Sequence, residues 1–291
     1  MKKIILACTI CGIFFTACTR GEGQVDVEQT SLQINETTVP NVVTRSVSTI
    51  TSGSLGLFYL AVSGYTAQSN IKYTYNSWWT TTTPLVLNTS AASVCAYYPY
   101  GAAGITSATG PTSVTLTSQG YDAAQDLCYA TTVSTAKSTA PKINIALNRA
   151  YAKLTFTIQH VGSYTGACAI NMISISNPGI LTFNTLNMLT GVYGTAVAGS
   201  VSYNPSIASI ASSGTATTAA LMVPVTTAMT GNITLVLRID DILKSIIFSL
   251  NTLQAGTNYT VTLAVSDQAK LSLVGIGVTD WTNQSVPGVI I

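Results

Sequence analysis

The sequence predicts an all-β protein folded as β-sandwiches with Greek-key links, and three observations predict it. Thr, Val, Ile and Tyr are plentiful, while Lys and Glu, the usual covering of exposed helices, are scarce; that composition suits pleated, half-buried strands. Short runs alternate apolar and polar residues with period two. Turn-rich clusters separate those runs, and no amphipathic helical run exceeds about two turns. The chain of 291 residues is 47% hydrophobic and only 8% charged, so it can build a core that a disordered chain could not. Its length admits one large or two medium domains.

The N-terminus reads as an address. Lys2 and Lys3 precede an apolar run from Ile4 to Phe15, which is shorter than the about 20 residues a membrane-spanning helix needs. A charged start and a short apolar run make a signal peptide over residues 1–17. Phe15-Thr16-Ala17-Cys18 follows, similar to the lipobox of bacterial lipoproteins, in which the Cys becomes the acylated N-terminus. Thr19 to Thr30 then reads as a polar tether. Several acyl chains, at about 0.8 kcal/mol per buried methylene, would anchor the protein firmly to a membrane surface.

Alternating runs then carry the body of the chain. Ile143, Ile145 and Leu147 share one face, and Leu154, Phe156 and Ile158 do the same over 153–159. Further runs cover 233–239, 246–250 and 259–265. Asn177-Pro178-Gly179 and Ala255-Gly256-Thr257-Asn258 supply turns. The break at Asn148-Arg149-Ala150 marks a domain boundary, dividing an N-terminal sandwich over 46–148 from a C-terminal one over 149–291. The stretch from Gly191 to Thr218, rich in Ser, Ala and Gly, is expected to form mobile loops with short edge strands. Cys95, Cys128 and Cys168 read as buried thiols in apolar strand contexts, with a Cys95–Cys128 disulfide as the alternative.

Little in the chain suggests chemistry. Twelve Lys and Arg against ten Asp and Glu give a formal charge of +2 without a basic cluster, which argues against nucleic acid as a partner. A single His, His160, leaves no basis for a multi-His metal site, and it reads as a satisfied strand-end residue. Asp240 and Asp241 are adjacent, so alternation sends them to opposite faces as turn residues. Asp122 and Asp126 read as caps or turn acceptors. No Gly-x-Ser-x-Gly, phosphate-loop or dinucleotide motif is present. The expectation is no enzyme, no cofactor and no metal. Trp78, Trp79, Tyr97, Tyr98 and Tyr100 form an aromatic cluster that is either core with an exposed rim or a sugar-stacking platform. Alternation places one of the two Trp residues in the core.

Several motifs resemble, in order, those of the fimbrillin family of Bacteroidales, the lipoprotein precursors of type V pili. They are the lipobox ending at Cys18, the Thr44-Arg45 step, the Trp78-Trp79 segment and Ala96-Tyr97-Tyr98-Pro99-Tyr100. Asp126-Leu127-Cys128-Tyr129-Ala130, Ala150-Tyr151-Ala152-Lys153-Leu154, Asn258-Tyr259-Thr260-Val261 and Asp280-Trp281 complete the series. Where the family often has His before the Ala-x-Ala-Lys-Leu strand, this chain has Asn148-Arg149.

The resemblance implies two transthyretin-like sandwiches in tandem and export as a lipoprotein of the outer membrane. It also implies a cut by an Arg-specific protease between Arg45 and Ser46, shedding residues 18–45. The groove so opened would accept the C-terminal strand of another subunit, for which Val274, Ile276, Val278, Val286, Val289 and Ile290 are the candidate side chains. Val25, Val27, Leu32, Ile34, Val39 and Val42 would fill it beforehand. The product would be a homopolymeric extracellular fimbria supporting adhesion, with a host or bacterial surface receptor as its target. The other readings are an uncleaved anchor or tip subunit and a monomeric glycan-binding surface lipoprotein.

Overall fold

A computed structural model of the chain describes residues 30–41, 45–136, 141–217, 221–224, 232–250 and 253–281. Among them the only helical pieces are the three-residue 3₁₀ turns Ala102–Gly104 and Asp267–Ala269. Everything else of regular structure is β, and the sheets pack in sandwich fashion around shared apolar clusters.

In the N-terminal half, a six-stranded antiparallel sheet runs in the order Asn148–Arg149, Cys128–Thr135, Ala92–Tyr98, Ser54–Tyr59, Gln68–Asn76 and Trp78–Thr80. Ser54–Tyr59 lies near its middle and is buried from Leu55 onward. Leu55, Leu57 and Tyr59 enter one cluster, while Phe58 enters another on the opposite face. The first cluster is closed by a three-stranded sheet, Lys142–Ala146, Gln33–Pro40 and Val47–Thr49, which contributes Ile143, Ile145, Ile34 and Val39.

Gly56 shows how tightly the central strand packs. A β-carbon there would run into the ring of Tyr97, which is buried and pinned by its hydroxyl donating to Asn70 Oδ1 at 2.5 Å. The ring has nowhere to retreat. Gly56→Ala is expected to destabilise by about 1–3 kcal/mol, the usual cost of overpacking a filled core, read as a lower urea midpoint with an unchanged slope.

In the C-terminal half, one sheet orders Gln119–Gly120, Leu221–Pro224, Tyr151–His160, Thr257–Ser266 and Lys270–Asp280, with Thr215–Thr217 also paired to Tyr151–His160. The other orders Val192–Tyr203, Ile170–Asn187, Asn232–Ile239 and Ile242–Ser249, with Val114–Thr117 on Ile170–Asn187. Phe156, Ile158, Ile173, Leu235, Leu237, Val261 and Leu263 meet between them. Two of these strands, Val114–Thr117 and Gln119–Gly120, come from the part of the sequence ahead of Asn148. A third cluster, including Tyr97, Leu127, Val114, Leu116, Tyr151, Met222 and Trp281, joins the halves.

The stretch after Gly191 differs from expectation. Val192–Tyr203 is a twelve-residue strand pairing along Ile170–Asn187. It lies at the sheet edge with most of its residues exposed, so burial imposes no alternation on its small side chains. Cys95, Cys128 and Cys168 are free and buried. Register opposes Cys95 to Phe58 and Cys128 to Tyr98, and the two thiols enter clusters on opposite faces of one sheet. They cannot be bridged without rebuilding the sheet. Burial pushes both thiols up to about 12, leaving them unreactive at neutral pH.

Candidate functional site

The site is built around the first long strand. Gln33–Pro40 is the middle member of its sheet, parallel to Lys142–Ala146 and antiparallel to Val47–Thr49. Its register against Lys142–Ala146 slips by one residue between Ile34 and Glu36, so Asn35 is an extra residue. That slip turns Thr37 and Val39, rather than Glu36 and Thr38, toward the core after Ile34. Asn35 donates from Nδ2 to Asn144 Oδ1 at 2.9 Å across the slip. Leu32, Ile34 and Val39 are buried in the N-terminal cluster. Pairing to Lys142–Ala146 over Gln33–Thr38 and to Val47–Thr49 over Thr38–Pro40, with Ile34 and Val39 turned inward and Leu32 buried just ahead of the strand, makes this segment a structural plug.

The plug ends at a loop. Asn41 N–H donates to the Ser46 carbonyl at 2.8 Å and Asn41 Nδ2 to Ser46 Oγ at 2.7 Å, closing the turn back into Val47–Thr49. Arg45 is exposed and sits at φ 57°, in the left-handed region. An exposed residue outside the strands is where a protease gains access most readily. Cys18 and the residues Val25, Val27 and Val42 lie outside the described residues.

Further along the chain, Lys270–Asp280 is an edge strand that, among the described residues, pairs only with Thr257–Ser266. Val274 is 55% and Val278 49% exposed, while Ile276 packs partly against the C-terminal cluster. A long edge with exposed apolar side chains invites pairing with another chain. Val286, Val289 and Ile290 lie outside the described residues.

The five aromatic residues do not form one platform. Trp79 is buried and meets Tyr75 edge-on at 5.2 Å, whereas Trp78, pointing the other way, is 67% exposed. Tyr97 is buried in the cluster that joins the halves. Tyr98 is half-buried. Tyr100 stacks on Tyr97 at 6.3 Å and carries Lys72 over its ring.

Sequence reasoning missed two polar anchors: the Asp126–Arg149 pair and, at the Asp240–Asp241 turn it did expect, the partners of the Asp240 carboxylate. Asp126 and Arg149 form a buried ion pair, and the Arg149 guanidinium lies over the Trp281 ring at 4.6 Å. Burial lowers the guanidinium to about 10, still charged at neutral pH. Lys153 adds a second cation near Trp281 and lies 4.5 Å over Tyr121. Nothing in the local pattern connects residues so far apart in sequence.

The second anchor is the Asp240 turn. Asp240 and Asp241 have positive φ, the geometry of a tight hairpin between Asn232–Ile239 and Ile242–Ser249. The Asp240 carboxylate accepts from Tyr164 O–H at 2.5 Å and from the Cys168 and Ala169 N–H groups. Burial pushes its acidity the other way, but the three donated bonds outweigh it and hold the carboxyl below its usual value.

His160, beside this turn, faces two acceptors: the Ile210 carbonyl at 2.6 Å from Nδ1 and the Tyr164 carbonyl at 2.9 Å from Nε2. Only the imidazolium can donate to both. Those two bonds, with Asp240 adding a smaller attraction, raise its value against the opposing effect of burial. Tyr164 and Cys168, pushed up to about 12 and about 11, do not titrate in the same range. A raised folded value means that the stabilisation is complete below the unfolded value of about 6.5 and is lost as pH rises through the folded value. The melting temperature is therefore expected to decline above about pH 6.5, and His160→Gln to flatten that decline. An unchanged slope in the variant would refute a charged His160.

Fold and site together define a sandwich-like all-β protein whose strand Gln33–Pro40 plugs a core and is followed in sequence by an exposed Arg45. A family model described as Fimbrillin-like matches residues 22–281, and the chain belongs to that family. Among solved structures, a candidate cell adhesion protein from Bacteroides uniformis is similar at 21% identity and a TM-score of 0.62, over 87% of this chain and 99% of that one. A candidate cell adhesion protein from Bacteroides ovatus is similar at 15% identity and a TM-score of 0.63, over 88% and 99%. A candidate adhesin from Bacteroides ovatus is similar at 11% identity and a TM-score of 0.54, over 89% and 96%. These likenesses concern the fold. Comparison with curated proteins gives no match.

Proposed function

We propose that this chain is a subunit of a cell-surface fimbria supporting adhesion, exported as a lipoprotein through Cys18 and held at the outer membrane until an Arg-specific protease cuts after Arg45. The strand Gln33–Pro40 then leaves, and the C-terminal segment of another subunit takes its place. The observation carrying this reading is the placement of that strand between two others, with Leu32, Ile34 and Val39 buried and an exposed Arg45 following it in sequence. Its departure would leave two unpaired backbone edges and an apolar slot, which strand addition satisfies.

The same reasoning narrows the donor. Lys270–Asp280 already pairs along Thr257–Ser266 in its own sheet, and Trp281, buried under Arg149, fastens its end. Val274, Ile276 and Val278 therefore stay at home, and the donating side chains are Val286, Val289 and Ile290. These apolar residues flank Pro287 and Gly288, with Val289 and Ile290 adjacent. The partners are other subunits, the protease and a surface receptor.

Digestion of the unlipidated chain with an Arg-specific protease tests this. Ser46 is the expected new N-terminus, with multimers that resist SDS; Arg45→Ala abolishes both. Cleavage at Arg45 that yields only monomer would overturn polymerisation and favour an anchor or tip subunit. Resistance at Arg45 would overturn processing.

A further inference from the structure

A cleft of about 500 Å³ opens beside the plug strand, within the range of small-ligand sites. Its floor is apolar, made in part by Leu32 and Trp79, and its rim carries Trp78. Trp78 is 67% exposed, with no ring contact among the described residues, on a short strand whose neighbour Trp79 is locked into the core. Gln33 and Asn35 line it and carry amides, and Thr80 lines it too, its hydroxyl donating to the Thr74 carbonyl at 3.3 Å. Asn35 is already oriented by its bond to Asn144, so little is lost in fixing it on a ligand. Lys142 is the one ionised side chain in the lining; no carboxylate accompanies it.

We propose that this cleft binds an acidic saccharide. The C–H face of a pyranose ring stacks on Trp78, an exposed aromatic whose burial is favourable and whose partner must be both apolar and polar. Ring hydroxyls exchange hydrogen bonds with the Gln33 and Asn35 amides, which both donate and accept. A uronate or sialate carboxylate takes Lys142 in a charge-assisted bond. Among the described residues the outer edge of Trp78–Thr80 is open to a peptide strand, but backbone pairing there leaves the exposed Trp78 ring, the two amides and Lys142 without a role. The site belongs to the unprocessed chain. Gln33 and Asn35 precede Arg45, so shedding the plug would remove one wall and end binding.

The test uses the unlipidated chain carrying Arg45→Ala, which keeps the plug in place. Trigalacturonate and sialyllactose are titrated against it by tryptophan fluorescence and calorimetry, with maltotriose as the neutral comparator. A saturable response to either acidic probe at millimolar concentration or below is expected. Trp78→Ala should weaken it by about tenfold or more and Trp78→Phe by less. Lys142→Gln should bring the acidic probes down to the neutral one, with the melting temperature unchanged because both side chains are exposed. No response to either acidic probe up to about 20 mM, a response that survives Trp78→Ala, or equal binding of maltotriose would overturn the proposal.

Discussion

A chain that begins at Ser46 is expected to lose the native state as an isolated monomer. Leu32, Ile34 and Val39 are each 5% exposed or less, and burying such side chains contributes about 1.5–3 kcal/mol each, or roughly 5–9 kcal/mol together. The strand also satisfies the facing edges of Lys142–Ala146 and Val47–Thr49. A domain is stable by about 5–15 kcal/mol, so this loss takes most of it. The truncated chain should show a collapsed urea midpoint or associate with itself. A synthetic peptide covering residues 30–41 should restore the transition when added in trans, because it returns the same contacts. A peptide carrying Ile34→Asp and Val39→Asp should not, since each carboxylate would be buried without a partner. If the truncated chain stays within about 1 kcal/mol of the full one, the strand is dispensable and the exchange proposal loses its physical basis.

Breaking the Asp126–Arg149 pair is expected to cost about 3–5 kcal/mol. Asp126→Ala leaves a guanidinium buried with its anion gone, and Arg149→Ala leaves a buried carboxylate. The two charges sit at 5% and 4% exposure, where water cannot take over the missing partner. Arg149→Ala also uncovers the Trp281 ring, so it should be the more damaging of the two. The double variant Asp126→Leu with Arg149→Met should recover most of the loss, because matched apolar replacements of a buried pair are often neutral. Urea denaturation of the wild type, Asp126→Leu, Arg149→Met and the double variant gives the coupling directly. Single variants within about 1 kcal/mol of wild type would show that the pair is screened and only decorative.

The lesson of the sequence lies in which elements were readable. The alternations at 143–147, 153–159, 233–239 and 259–265 reappear as Lys142–Ala146, Tyr151–His160, Asn232–Ile239 and Thr257–Ser266, because each strand has one dry face and the dry face dictates every second residue. Trp78 and Trp79 obey the same rule. Val192–Tyr203 was not readable, since an exposed edge accepts Gly, Ala and Ser without pattern. Ser54–Tyr59 lacks alternation for the opposite reason, being buried on both faces.

The amino-acid sequence by itself determined the β class, the period of the strands, the candidate address at Cys18 and the dipeptide at Arg45. Tertiary structure alone decided that Gln33–Pro40 lies between two strands distant in sequence, that Val114–Thr117 crosses to the other half, and that Asp126 finds Arg149. It also decided that His160 meets two carbonyls. Periodicity is a local property of a chain beside a core, whereas strand order, a buried pair and a cleft arise from residues brought together only when that core closes.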